Sequence, residues 1–199
     1  MRHVFLIFFL PCFAATAAKA DFIDEFDSEN GGVGVLDYTM FNNFNVTQGS
    51  VDLIGNDLFD IYPGNGLYVD LNGSSGQSGK MESMQDIAPG AYILRFLIGN
   101  NPDVGQVNSM TVSLGTYSET FLRDGNMDLE LISRAVFVDS QSKLRFETPF
   151  SDNDNGGVII DAISVTPVPE PSPVLLLTFG LMNLALNRRS RRHDSFNIK

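Results

Sequence analysis

Between Asp21 and Pro173 the chain carries no histidine and no cysteine; His3, Cys12 and His193 all lie outside that stretch. Nucleophiles activated by histidine, and zinc sites built from His and Cys, are therefore excluded there. What remains is oxygen chemistry. Two carboxyl groups could act as acid and base on a glycosidic bond, or oxygen ligands could surround a hard cation such as Ca2+. Residues 1–20 contain two cations and one does not find an acid among them, while 174–199 contain five cations and one acid. Removing these from the chain's 13 and 24 leaves six cations against 23 acids, a formal charge of −17 where the whole chain has −11. With 23 acids, chance pairs are abundant, so a carboxylate-based glycosidase ranks third among the functions considered. Such a surface repels phosphate and excludes nucleic acid as a partner.

Individual positions narrow this further. Asp161 stands between Ile160 and Ala162 in a strand-like run, where a carboxylate must be paired, solvated or ligating. The run Asp152-Asn153-Asp154-Asn155-Gly156-Gly157 alternates oxygen side chains before glycine, as calcium loops do. Ile163 stands where an EF-hand needs its last glutamate and no helices flank the run, so a polar turn is the simpler reading. Tyr62 and Tyr68 flank Pro63-Gly64-Asn65-Gly66 and are the candidates for stacking on a sugar. Tyr92 lies inside an apolar run and reads as core, and the chain has no Trp. No glycine-rich run follows a strand and opens a helix, so no phosphate cradle is predicted.

The elements that must position these residues are strands. Short β-branched and aromatic runs are broken every 8 to 12 residues by Gly, Asn, Asp or Pro. The pattern predicts strands at Asp21 to Phe26, Val33 to Tyr38, Phe44 to Thr47, Val51 to Ile54, Leu58 to Tyr62 and Leu67 to Leu71. Further strands are predicted at Lys80 to Ile87, Ala91 to Ile98, Val107 to Leu114, Tyr117 to Leu122, Leu129 to Val138, Lys143 to Phe146 and Val158 to Val165. Gln48-Gly49-Ser50 reads as the turn of a hairpin, and Ala91 to Ile98 as the central strand. Apolar content alone would allow a helix at Leu129 to Val138; the alternation in Ala135-Val136-Phe137-Val138 favours a strand. The fold class is all-β, an antiparallel β-sandwich over 21–166, of jelly-roll rather than immunoglobulin type because no Cys…Trp…Cys spacing exists.

The two ends read differently. Arg2 and His3 lead the apolar Val4 to Leu10, and the run closes on Ala18-Lys19-Ala20, which makes 1–20 a secretory signal helix cleaved before Asp21. A lipoprotein signal at Cys12 is disfavoured because Pro11 precedes it. At the other end Pro167, Pro169, Pro171 and Pro173 alternate, so 167–173 is a stiff extended linker. An uncharged segment follows, a transmembrane helix over 174–187 whose 13-residue apolar run Val174 to Leu186 spans about 20 Å at ~1.5 Å per residue. Arg188, Arg189, Arg191 and Arg192 then open a basic cytoplasmic tail over 188–199.

Two resemblances add to this. Val168-Pro169-Glu170-Pro171-Ser172, the membrane segment and the arginines together resemble the PEP-CTERM sorting signal of exopolysaccharide-producing Gram-negative bacteria. That resemblance implies an exosortase as partner, the inner membrane as a transient partner, cleavage near Pro169-Glu170-Pro171, and a final place at the cell surface. Within 21–166, the runs Gly49 to Gly55, Gly66 to Gly73, Pro89 to Phe96 and Gly157 to Val165 resemble secreted galactose-binding-like jelly rolls. That likeness implies a structural Ca2+ held by Asp161 with Glu25 or Asp27, and a matrix-facing or polysaccharide-facing role. The leading expectation is an exported, non-catalytic surface or matrix protein; the alternative is a weak, Ca2+-dependent carbohydrate-binding module.

Overall fold

The computed structural model describes residues 21–101, 107–125, 127–149, 156–169, 177–178 and 180–184. The signal segment with Ala18 and Ala20, the run Asp152 to Asn155, the positions Glu170, Pro171 and Ser172, and the four arginines of the tail lie outside the described residues. The chain divides into two compact units, Met1–Pro167 and Val168–Lys199.

Strict alternation builds the strands of the first unit. Strand β9 (Gly90–Asn100) sends Tyr92, Leu94, Phe96 and Ile98 inward and leaves Arg95 exposed. β12 (Glu130–Val138) buries Ile132, Val136 and Val138 and exposes Leu131 and Phe137, so the segment with helix-like apolar content is indeed a strand. β10 (Asn108–Leu114) and β11 (Tyr117–Arg123) form a hairpin with Leu114 opposite Tyr117. Every described pairing is antiparallel.

Two sheets enclose the core. One has the order β12-β9-β14-β5-β4-β2, using β14 (Val158–Pro167), β5 (Leu67–Asp70), β4 (Val51–Gly55) and β2 (Val35–Tyr38). β1 (Phe22–Asp24) joins this sheet against β14. The other has the order β11-β10-β13-β8-β3, using β13 (Leu144–Glu147), β8 (Lys80–Ser83) and β3 (Phe44–Gln48). From β8 onward every connection except the β10–β11 hairpin crosses between the sheets, which is the connectivity of a jelly-roll sandwich. A short hairpin of β6 (Asn72–Gly73) and β7 (Gln77–Ser78) stands apart.

Aromatic rings bind the two sheets together. Phe96 from the first sheet meets Phe146 and Phe121 of the second edge-to-face, with centroids 5.5 and 5.6 Å apart. Phe44 continues the chain of contacts to Phe146 at 6.2 Å and to Phe22 at 5.4 Å. Each such pair adds about 0.5–1.5 kcal/mol beyond the area it buries. A second, smaller apolar cluster sits on the opposite side of the first sheet, where Leu58, Ile61, Tyr62 and Leu129 pack against Ile54, Tyr68 and Ile159.

Two local expectations need correction. Gln48-Gly49-Ser50 does not turn a hairpin: β3 pairs with β8, and β4 pairs with β5 and β2, so these residues carry the chain from one sheet to the other. Leu58 to Tyr62 is not a strand but part of a loop folded over the sheet, its apolar residues spent on the second cluster. β9 is an inner strand, but it lies next to the edge strand β12, with β14 and β5 at the middle of the order.

In the second unit, positions 177, 178 and 180–184 are helical and exposed. No helix among the described residues is long and apolar enough to cross a membrane. The remainder of the predicted span 174–187 lies outside the described residues.

Candidate functional site

A polar pocket of about 260 Å3 opens on the second sheet, lined by Asp86, Ser113, Gly115, Gln141, Ser142, Lys143 and Arg145. Three separate stretches build it. β10 and β13 place Ser113 directly opposite Arg145, and both side chains point away from the core because Val112, Leu114, Leu144 and Phe146 point into it. The connection after β12 is pinned by an isolated bridge between Ile87 and Ser142, whose backbones exchange hydrogen bonds of 2.7 and 3.1 Å. That bridge brings Asp86 beside Gln141 and Lys143.

The pocket's side chains are held in place by bonds among themselves and to their rim. Gln141 Nε2 donates to Asp86 Oδ2 at 2.7 Å, and Lys143 Nζ lies 3.2 Å from Asp86 Oδ1. Lys143 also donates to the carbonyls of Ser83 and Met84, each at 2.8 Å. Arg145 Nε donates to Glu82 Oε1 at 2.7 Å. The Gln141 amide, then the Lys143 ammonium, hold the Asp86 carboxyl below its ordinary range, so it is an acceptor and not a proton donor. Hydroxyl, amide, carboxylate and cationic groups converge here with one carboxyl among them. Among the described residues its lining carries a single carboxyl, and the arrangement can hydrogen-bond a polyol.

The acidic corner expected from Glu25, Asp27 and Asp161 forms where β1 and β5 share one edge of β14. β14 carries a bulge between Asp161 and Ser164, with Ala162 at φ +46°. The bulge shifts the inward positions from Val158 and Ile160 to Ile163 and Val165, and it leaves Asp161 on the other face. Asp161 is nonetheless buried, and its Oδ1 accepts from Ala162 N at 2.6 Å. Burial, reinforced by the charges of Asp27, Glu25 and Asp24, pushes its carboxyl up to about 7. Asp24 is also buried and its carboxyl is raised, chiefly by burial, although Phe26 N donates to it at 2.9 Å. Asp27 Oδ1 accepts from Leu67 N at 2.8 Å and presses on Gly66, where any Cβ would overlap the carboxylate.

Asp161 thus lies within electrostatic reach of Asp27, Glu25 and Asp24. Among the described residues, however, no three His, Cys, Asp or Glu side chains are grouped so as to hold a metal ion. Ca2+ takes six to eight oxygens, so main-chain carbonyls would have to complete any shell here.

Tyr62 and Tyr68 hold the 56–66 loop over the first sheet. Tyr68 is fully buried, and its hydroxyl accepts from Ile61 N at 2.5 Å and from Tyr62 N at 3.0 Å. Tyr62 is half-buried against Tyr68, with centroids 5.8 Å apart. Its ring rests on Gly99, where a Cβ would come within 2.5 Å of the Tyr62 hydroxyl. That hydroxyl accepts from Asn100 N at 2.9 Å and donates toward the carbonyls of Asn100 and Met127, at 2.8 and 3.0 Å.

Next to Tyr62 is a buried polar pole of Asp70, Asn72, Asn100, Asn108 and Arg123. Asp70 accepts from Asn72 N at 2.9 Å and from Asn101 Nδ2 at 3.1 Å. Burial still pushes its carboxyl up to about 7, with the Asp52 charge adding to the rise. Arg123 is 4% exposed; its Nη1 pairs with Glu130 Oε2 at 2.8 Å, while Nε and Nη2 are buried without a partner among the described residues. A buried donor left unpaired costs about 1–3 kcal/mol.

The sequence alone singles out neither the pocket nor Asp70 nor Arg123. The alternation Phe121, Leu122, Arg123 marks the arginine as an inward-facing cation, and Asp70 between Val69 and Leu71 carries the same signal as Asp161. The pocket carries no local signal, since its residues are separated by up to 59 positions.

No family model and no curated protein matches the sequence. Among solved structures, the chain is similar to the K3 cleaved adhesin domain of Lys-gingipain from Porphyromonas gingivalis w83, at 11% identity and a TM-score of 0.49 over 75% of this chain and 99% of that one. It is similar to the CBM36-1 domain of a multidomain xylanase from the hindgut metagenome of Trinervitermes trinervoides, at 15% identity and 0.46 over 76% and 100%. It is also similar to the C-terminal CBM6 of LamC, a marine laminarinase from Zobellia galactanivorans, at 13% identity and 0.43 over 74% and 99%. The assignment of the fold rests on this chain's own strand order and registers, which make it an antiparallel jelly-roll sandwich.

Proposed function

We propose that the sandwich is a non-catalytic glycan-binding module, exported and displayed at the cell surface or in the extracellular matrix. The observation that carries this reading is the pocket of Asp86, Ser113, Gln141, Ser142, Lys143 and Arg145, whose donors and acceptors suit sugar hydroxyls and whose single carboxyl stays ionised. The domain's net charge of −17 favours a neutral glycan over a polyanionic one. With no aromatic platform in the pocket, affinity rests on hydrogen bonds alone and is weak.

Delivery follows from the ends of the chain. The signal segment starts export, the apolar run from Val174 holds the chain in the inner membrane, and an exosortase acts near Pro169-Glu170-Pro171. A Ca2+ at Asp161, with Glu25 and Asp27 nearby, would relieve the like-charge repulsion of that corner and brace the β14 bulge.

Affinity electrophoresis of the full-length protein in gels containing starch, xylan or mixed-linkage β-glucan tests the binding. Retarded migration in at least one gel, reduced in Gln141→Ala and Arg145→Ala, is expected, with no release of reducing ends. Unretarded migration in all three gels contradicts the proposal, as does hydrolysis.

A further inference from the structure

Arg123 raises a question the pocket does not answer. Its guanidinium lies at the pole of the sandwich, where β11 ends opposite Asn108 at the start of β10. Glu130, whose side chain is 55% exposed, occupies only the Nη1 end. Met127 covers the same end, with its sulfur 3.9 Å from Nη1 and accepting from Asp124 N at 3.4 Å.

The two donors without partners, Nε and Nη2, are not an arbitrary pair. In a guanidinium they share one edge and form a parallel fork, whose spacing matches the two oxygens of a carboxylate. A lysine could not present that edge. The groups around it are polar and fixed: the Tyr62 hydroxyl is tied to Asn100 and to the Met127 carbonyl, and the Asn108 and Asn100 side chains meet at 2.9 Å. Met127 is unbranched and 38% exposed, so its side chain can turn aside and uncover the guanidinium.

We propose that this fork is a recognition site for one sugar carboxylate, the uronate group of an acidic saccharide. The domain's overall acidity repels long polyanions, whereas the guanidinium edge not taken by Glu130 accepts one carboxylate. The hydroxyl and amides beside the fork suit a sugar ring better than an apolar peptide side chain. This site is separate from the polar pocket, so its failure leaves the neutral-glycan reading untouched, and the reverse also holds.

The test is NMR of the Arg123 Nε–H signal in the full-length protein, titrated with D-glucuronate, and in parallel with D-glucose, sodium acetate and N-acetylglycine. The expected result is a saturable downfield move with glucuronate, a smaller one with acetate and N-acetylglycine, and none with glucose. Arg123→Lys should weaken glucuronate binding by roughly tenfold or more, the worth of one charge-assisted hydrogen bond. If that variant fails to fold, the titration of the unaltered protein decides alone. No movement with glucuronate overturns the proposal. Equal movement with glucose overturns the carboxylate, and equal or larger movement with N-acetylglycine overturns the sugar.

Discussion

Replacing Asp70 by asparagine should change how stability depends on pH. In the fold the Asp70 carboxyl is buried, faces Asp52 across the β4–β5 pair, and is pushed from an ordinary 3.8 to about 7. Three hydrogen bonds to the charged form, from Asn72 N, Asn101 and the Gly157 backbone, oppose the rise without cancelling it. Because the folded value is raised, the folded state holds a proton that the unfolded chain has already released between about pH 4 and pH 7. Stability therefore falls as pH climbs through that window and levels off above it. From pH 5 to pH 8 this one group accounts for a loss of about 2–3 kcal/mol, at about 1.4 kcal/mol per pH unit below 7. Asp161, with the same raised value, adds a second loss of the same sign. Urea unfolding of the full-length protein at pH 5, 6, 7 and 8, in EGTA to keep cations from the Asp161 corner, measures the slope. Asp70→Asn should remove about half of it, whatever the variant's stability at any one pH. A variant curve parallel to the unaltered protein's would refute the reasoning. So would stability rising from pH 5 to pH 8.

Two further outcomes concern the cation and the tail. Adding Ca2+ after EGTA should raise the melting temperature, and Asp161→Ala should abolish the rise; a melting temperature indifferent to both reagents removes Ca2+ from the account. Intact mass of the protein recovered from membrane and extracellular fractions should find residues 174–199 present in the first and missing from the second. Their retention on all surface protein would contradict processing by an exosortase.

The strands were legible because alternation is a local property. Ala91 to Ile98 and Leu129 to Val138 declare their inward and outward sides residue by residue, and β9 and β12 follow that pattern. Which sheet a strand joins is not local. Phe44 to Thr47 and Val51 to Ile54 both offer an apolar face to the same core, so nothing in Gln48-Gly49-Ser50 distinguishes a hairpin from a passage between sheets. Leu58 to Tyr62 misleads for a related reason: apolar residues packed beneath a loop look like apolar residues in a strand.

The candidate sites divide along the same line. Asp161 could be read from its neighbours Ile160 and Ala162, and the structure buries it beside the charges of Asp27 and Glu25. Tyr62 and Tyr68 are candidates for sugar stacking because they flank a glycine-rich turn, yet that turn folds back on the sheet and the two rings hold it there. The pocket depends on the Ile87–Ser142 bridge and on the register that sets Ser113 opposite Arg145. Contacts between such distant segments are decided by the whole fold, so no window of sequence carries them.

Binding of a neutral glycan in the polar pocket is open to mapping of backbone amide NMR shifts. Maltohexaose, cellohexaose and xylohexaose would each be added to the full-length protein. At least one of them should move the amides of Ser113, Gln141, Ser142 and Lys143 together, and Gln141→Ala should weaken the effect. Shifts confined to other surfaces, or no shifts with any of the three, would contradict it.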